Sequence, residues 1–202
     1  MKVIVYIFFS LLIFFFAWQI FSAQTNNKYE FLQNEYIGKK NGIEFKVYNH
    51  YTKASVNMKY GKMKSANSKF SVLANYIFGG NEKNAQIKMT APVLYNMDTN
   101  SSFSFLMPYE WENNLPKPDT DEIFFSNVSE QCVGILKFGG FVKNNKAQKK
   151  VNELRSKLSA LNLKYSNDFI IAVYQPPYQL INRKNEIWVE VNKAQVSKLF
   201  NK

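Results

Sequence analysis

Cysteine and histidine are nearly missing from this chain: Cys132 and His50 are the sole examples among 202 residues. One cysteine excludes an internal disulfide and any zinc site built from several thiolates. One histidine excludes a histidine-rich metal centre. Arginine is almost as scarce, since only Arg155 and Arg183 occur among 26 basic residues, so lysine carries the net charge of +11. Such a charge reads first as a solvated lysine surface, and second as attraction to acidic lipid headgroups or an anionic ligand. No arginine-aromatic motif of the single-strand readers is present, which argues against nucleic acid as a partner. Also absent are the hydrolase elbow GxSxG, the zincin helix HExxH and a phosphate loop. Gly61-Lys62 lacks the upstream glycine and the following Ser/Thr that such a loop needs.

What is present is apolar content, 46% of the chain, enough to bury one proper core. Part of it is concentrated at the start. Val3–Phe21 is apolar except for Ser10 and Gln19. A helix over Val3–Ala23 would be about 30 Å long at ~1.5 Å per residue, sufficient to cross a bilayer core. A cleaved signal peptide is the alternative, but Phe21 or Phe15 would stand at the −3 position of either candidate cleavage site, where a small residue is needed. The expectation is a single-pass N-terminal anchor over 1–23, with the remainder outside the cytoplasm. Residues 24–41 read as a linker, 42–192 as the folded domain and 193–202 as a tail. Val196, Leu199 and Phe200 suggest a short helix in that tail.

Within the domain the pattern alternates between strand and helix. Ile43, Phe45 and Val47 alternate with polar neighbours, and so do Ala54, Val56 and Met58, giving two half-buried strands. Phe70, Leu73, Ala74 and Ile77 recur at helical spacing, with Asn67 or Ser68 as N-cap and Gly79-Gly80 as terminator. Strands follow near 87–95 and 103–107. The order then recurs: strands near 123–125 and 132–138, a helix through Ala147, Val151, Leu154, Leu158 and Leu161, and strands near 169–174 and 186–191. Met58–Gly61 matches Leu136–Gly139 in residue type. Two ββαββ units cannot each cover a sheet face alone, so the expected fold is α+β, the two units joined in one antiparallel sheet or barrel. Pro92 and Pro176-Pro177 either hold open a rim against which the helices and a ligand pack or mark strand ends or bulges, because proline cannot donate to a ladder. On that ground Met89, Thr90 and Pro92 read as structural.

Few side chains suggest chemistry. Cys132 lies in an alternating strand and reads as a buried small hydrophobe, with a catalytic thiol as the rival reading. Asp119, Asp121 and Glu122 follow a proline-rich loop and read as solvated charges. Glu82, Tyr76 and Tyr174 are conceivable catalytic groups with nothing to distinguish them, so no enzyme is indicated.

Two segments are more specific: Asn75–Val93, reading NYIFGGNEKNAQIKMTAPV, and Asn182–Glu190, reading NRKNEIWVE. They resemble the SOUL family of haem-binding proteins, in which YIxGxN, a K-I-x-MTAPV strand and a late NRxNEVW strand recur. The resemblance spans Gly42–Val191. It implies a distorted antiparallel barrel flanked by two helices, and non-covalent haem or a related tetrapyrrole held without chemistry by a carrier, buffer or sensor. In one branch an axial histidine lies in a segment resembling Glu44–Tyr48, where this chain has Val47. The resemblance therefore points to the branch that holds porphyrin by hydrophobic contact. By position it implies a cleft lined by Phe70, Leu73, Ala74, Ile77 and Phe78, faced by Leu180, Arg183 and Lys184, the two cations meeting propionates. An apolar stripe at that helical spacing is more usually core. Arg183 suits either an ion pair with Glu186 or a carboxylate clamp. His50, between two strands, reads as a turn histidine or an iron ligand. The rival function is a binding module for a lipid, another apolar molecule or an amphipathic protein helix.

Overall fold

The computed structural model describes residues 6–15, 30–58, 66–97 and 101–201. Residues 6–15 form a helix, α1, whose apolar side chains are exposed. The rest of the expected anchor and Lys59–Gly61 of the internal match lie outside the described residues, while the expected N-caps Asn67 and Ser68 fall inside the next helix, which begins at Ala66. Among the described residues no helix is long and apolar enough to cross a membrane.

Nine strands form one curled antiparallel sheet, a half-barrel. In chain order they are β2 (Asn34–Lys40), β3 (Ile43–Tyr48), β4 (Tyr51–Asn57), β6 (Val93–Asn96), β7 (Ser102–Leu106), β8 (Ile123–Val128), β9 (Gln131–Gly139), β10 (Tyr165–Val173) and β11 (Lys184–Val191). Two short strands, β1 (Glu30–Phe31) and β5 (Thr90–Ala91), pair in parallel beside it. The spatial order is β2-β3-β9-β11-β10-β6-β7-β4-β8. The expected linker is corrected here, since β2 runs antiparallel to β3 from Asn34↔Tyr48 to Lys40↔Ile43. It is a polar, mostly exposed edge strand, so no alternation announced it.

Helices cover one face. Ala147, Val151, Leu154 and Leu158 of α3 (Asn144–Ala160) are buried against Phe45, Leu136, Ile171 and Ile187. Each leucine so buried contributes about 1.5–3 kcal/mol. The tail forms α4 (Lys193–Phe200), capped by Asn192, whose side chain accepts from the Gln195 amide. Its Phe200 lies edge-on to Phe45, 5.9 Å between centroids, and occupies the space a side chain at Gly38 would need. α2 (Ala66–Ile77) buries Leu73, Tyr76 and Ile77 against Ala54, Val56, Phe103 and Phe105. The opposite face carries a separate cluster of Tyr48, Tyr51, Leu94, Leu106, Ile135 and Trp188.

The Asn75–Asn81 stretch shows why that motif has its residues. Gly79 takes φ +113°, which favours glycine, and the Gly80 amide donates to the Asn75 carbonyl at 2.8 Å. Asn81 is 1% exposed and fully engaged. Its amide donates to the carbonyls of Tyr76 and Ala85, and its oxygen accepts from the amides of Lys83 and Ala85. These four bonds fix the chain that leaves α2 and leads to Met89.

Buried phenols set an alkaline limit. Burial pushes Tyr51, and burial together with the Glu82 charge pushes Tyr76, up to about 12 from an ordinary 10. The folded state favours their neutral forms. Their contribution is therefore complete below about pH 10 and is lost as pH rises through about 12. Urea midpoints should hold steady up to about pH 10 and fall above it, with phenolate absorbance from these two residues appearing together with unfolding. An unchanged midpoint at about pH 12 would contradict this.

Candidate functional site

Between α2 and the loop following β10 lies an open cleft of about 540 Å³. That volume falls in the usual range of small-molecule sites, about 300–1,000 Å³. Its walls come from three places. α2 supplies Phe70; the stretch entering β6 supplies Met89, Ala91, Val93 and Tyr95; the end of β10 and its loop supply Val173, Tyr174, Pro176, Pro177 and Tyr178. Arg183 completes the wall as its one cation among the described residues. Both signature segments therefore converge here.

The walls are held rigidly. Phe70 meets Phe105 edge-on at 5.3 Å, and Tyr95 lies 4.8 Å from Phe103. The Ala91-Pro92 peptide is cis, and the Thr90 hydroxyl donates to the Leu106 carbonyl at 2.6 Å. Tyr174 is fixed from behind: its hydroxyl donates to Glu186 Oε2 at 2.7 Å, and the Trp188 indole N–H donates to that same oxygen at 2.7 Å. Burial, and then the Glu186 charge, push the Tyr174 phenol far above its ordinary range.

Arg183 organises the loop. It follows Asn182, which takes φ +51°, a left-handed conformation asparagine tolerates. Its Nη1 donates to the Pro176 and Gln179 carbonyls, each at 2.7 Å, and its Nη2 to the Gln175 carbonyl at 3.1 Å. The guanidinium lies 4.5 Å from the Phe141 ring centroid. Only 9% of the residue is exposed, and its Nε is buried with no hydrogen-bond partner. Burial lowers its pKa, and Tyr95 acts in the opposite sense, so the two are coupled electrostatically.

The structure brings together only part of the site expected from sequence. Phe70 and Arg183 border the cleft. Leu73 and Ile77 do not: they are 0% and 1% exposed and turn into the core, as an apolar stripe at that spacing usually does. Ala74 is half-buried and off the cleft wall, while Phe78, beyond the helix end, and Leu180 are exposed and point elsewhere. Lys184 pairs with Glu186 at 3.3 Å and lies 4.0 Å over the Tyr174 ring. Arg183 does not pair with Glu186, its Nη donors being engaged with backbone carbonyls. His50 sits in a second hollow of about 160 Å³ beside Glu30, Tyr51 and Tyr109, its Nε2 2.9 Å from Glu112 Oε1. Cys132 is 3% exposed, and burial pushes its thiol up to about 11, so it packs as a small hydrophobe. Among the described residues no group of three His, Cys, Asp or Glu could hold a metal ion.

Sequence reasoning missed Met89, Val93, Tyr95, Val173 and Tyr178, and offered Pro176-Pro177 as a ligand rim only as one of two readings. The signal was in the prolines, which end β10 and interrupt the strand at Pro92 where the cleft opens.

The family described as SOUL heme-binding protein matches residues 25–190. Heme-binding protein 2 of Mus musculus is 33% identical over 132 residues, 59% of this chain, and Heme-binding protein 1 of Sus scrofa is 27% identical over 122 residues, 56% of this chain. The matches span only 63% and 65% of those relatives' lengths. Among solved structures, the EcmrR C-terminal domain superposes with a TM-score of 0.57 at 10% identity, covering 78% of this chain and 98% of that one. A hydrolase from Listeria innocua superposes at 0.53 and 11% identity, covering 77% and 94%. These two show a shared fold. With its family match running through nearly the whole folded region and both signature segments meeting at one cleft, the chain belongs to the SOUL family.

Proposed function

We propose that the protein binds haem, or a closely related flat amphipathic tetrapyrrole, non-covalently in the cleft between α2 and the β10–β11 loop. The observation that carries this reading is a cleft of about 540 Å³ with apolar and aromatic walls and one buried cation, Arg183, whose Nε lacks a partner. Phe70, Met89, Val93, Val173 and the two prolines would supply flat contact to a macrocycle. A cation bordering such walls suits a ligand that brings an anionic group. The relatives are named for heme binding, which supports the same ligand here. The role is carriage, buffering or sensing, with no chemistry performed on the ligand.

Two further elements belong to this reading. The chain order of two strands, a helix and two strands occurs twice, and the sheet order is symmetric about the β10–β6 pair; both support an internal duplication. The exposed apolar side chains of α1 support an N-terminal membrane anchor, and the short flank before it is the reason to place the domain on the extracytoplasmic side.

Full-length protein in mild detergent, titrated with haemin, should give a saturable one-to-one Soret change. Phe70→Asp should weaken it at least about tenfold, about 1.4 kcal/mol, with little change in melting temperature because Phe70 is 38% exposed. No saturable change would end the reading. Lipid found by mass spectrometry in the purified protein would then favour the lipid-module alternative.

A further inference from the structure

We infer that Tyr95 ligates the haem iron through its phenolate oxygen, with Arg183 as counter-charge. This rests on the haem reading above. Haem sites recruit iron ligands from His, Cys, Met and Tyr. Four such side chains border the cleft: Met89, Tyr95, Tyr174 and Tyr178. Three of them are poorly placed. The Tyr174 hydroxyl is donated to Glu186 Oε2, and a second anion against that carboxylate is unfavourable. Tyr178 is 53% exposed on the loop, at the water side of the cleft. A methionine ligand usually works opposite a histidine, and the one histidine is ion-paired in the other hollow.

Tyr95 has what the others lack. It stands on β6, where Tyr95 pairs with Ile171 and Phe103 in the sheet register, so its backbone is fixed on both sides. Its ring packs against Phe103. Arg183 borders the same cleft and retains one buried N–H with no acceptor; burial pushes the Tyr95 phenol up to about 12, and the Arg183 charge acts against that. A phenolate is the hard, anionic donor such a guanidinium can balance.

On binding, Tyr95 gives up its hydroxyl proton to bulk solvent and its oxygen bonds to ferric iron; no electron is transferred. The anionic oxygen then offsets positive charge at the iron, so ferric haem is held more tightly than ferrous haem. Haem would be retained under oxidising conditions and released on reduction.

The test compares haemin with iron-free protoporphyrin IX on full-length wild type, Tyr95→Phe and Met89→Leu. Wild type should show a high-spin ferric electron paramagnetic resonance signal and tyrosinate bands in resonance Raman spectra. Tyr95→Phe should lose the tyrosinate bands and weaken haemin at least about tenfold, while protoporphyrin affinity stays within about twofold. Met89→Leu should keep the bands, and dithionite should weaken haem binding in wild type and Met89→Leu but not in Tyr95→Phe. Identical haemin spectra in wild type and Tyr95→Phe would overturn the assignment and leave the haem reading standing. Equal loss of haemin and protoporphyrin in Tyr95→Phe would make the residue a packing element, which also overturns it. Failure of wild type to bind either porphyrin would overturn both.

Discussion

Replacing Arg183 with methionine should cost about 3–4 kcal/mol of stability and dismantle one wall of the cleft. Methionine keeps the length of the stem, so the loss isolates the guanidinium. Three backbone carbonyls, of Gln175, Pro176 and Gln179, accept from it. Hydrogen bonds to a charged donor contribute about 1.5–3 kcal/mol each, and carbonyls near the surface recover part of that from water. The contact with Phe141 adds about 0.5–1 kcal/mol. Lysine should rescue little, because one ammonium on a flexible stem cannot span three acceptors arranged for a planar fork. Urea midpoints at unchanged m-value report the stability change. Proteolysis between Gln175 and Arg183 should accelerate in both variants, and haemin affinity should fall with it. A methionine variant destabilised by less than about 1 kcal/mol would mean that the loop holds its own shape and that Arg183 is not its centre.

That role was half legible. The sequence singled out Arg183 because arginine is rare and because it follows Asn182 in a signature segment. It offered two partners, Glu186 and a ligand carboxylate, and both are carboxylates. The acceptors found are backbone carbonyls of a loop folded round the guanidinium, and no residue pattern encodes where a carbonyl points. The helices read more directly. The 147, 151, 154 and 158 stripe places α3 on the sheet because burial demands that spacing. The α2 stripe was equally clear, yet periodicity does not separate residues packed on a sheet from residues lining a gap beside it. Leu73 and Ile77 proved to be the former and Phe70 the latter. Tyr95 and Val93 alternate with Leu94 as in any two-faced strand, and only the placement of α2 and the loop leaves part of that face open. β2 was illegible because an exposed edge strand needs no apolar alternation.

Trp188→Ala should be at least as damaging as the arginine variant, at about 5 kcal/mol, through a different cause. Trp188 is 1% exposed and stacks on Tyr48 with centroids 4.7 Å apart. Truncating a large core aromatic costs about 3–5 kcal/mol through lost transfer and the cavity left behind. The indole N–H also donates to Glu186 Oε2, and Glu186 is 1% exposed, so alanine leaves a buried carboxylate with one donor fewer, a further ~1–3 kcal/mol. Trp188→Phe separates the two effects, keeping most of the ring while removing the donor, and should cost about 2 kcal/mol. Lys184, ion-paired with the other carboxylate oxygen, limits that loss. Because Glu186 Oε2 also holds the Tyr174 hydroxyl, the phenylalanine variant should disturb the cleft wall while the fold persists. Near-UV circular dichroism of Tyr174 and haemin affinity should change together, ahead of any change in the far-UV signal. Should Trp188→Phe match wild type in stability and haemin binding, the carboxylate would not be the link between the Trp188 face of the sheet and the cleft, and Tyr174 would be positioned by packing against Phe31 and Lys184 instead.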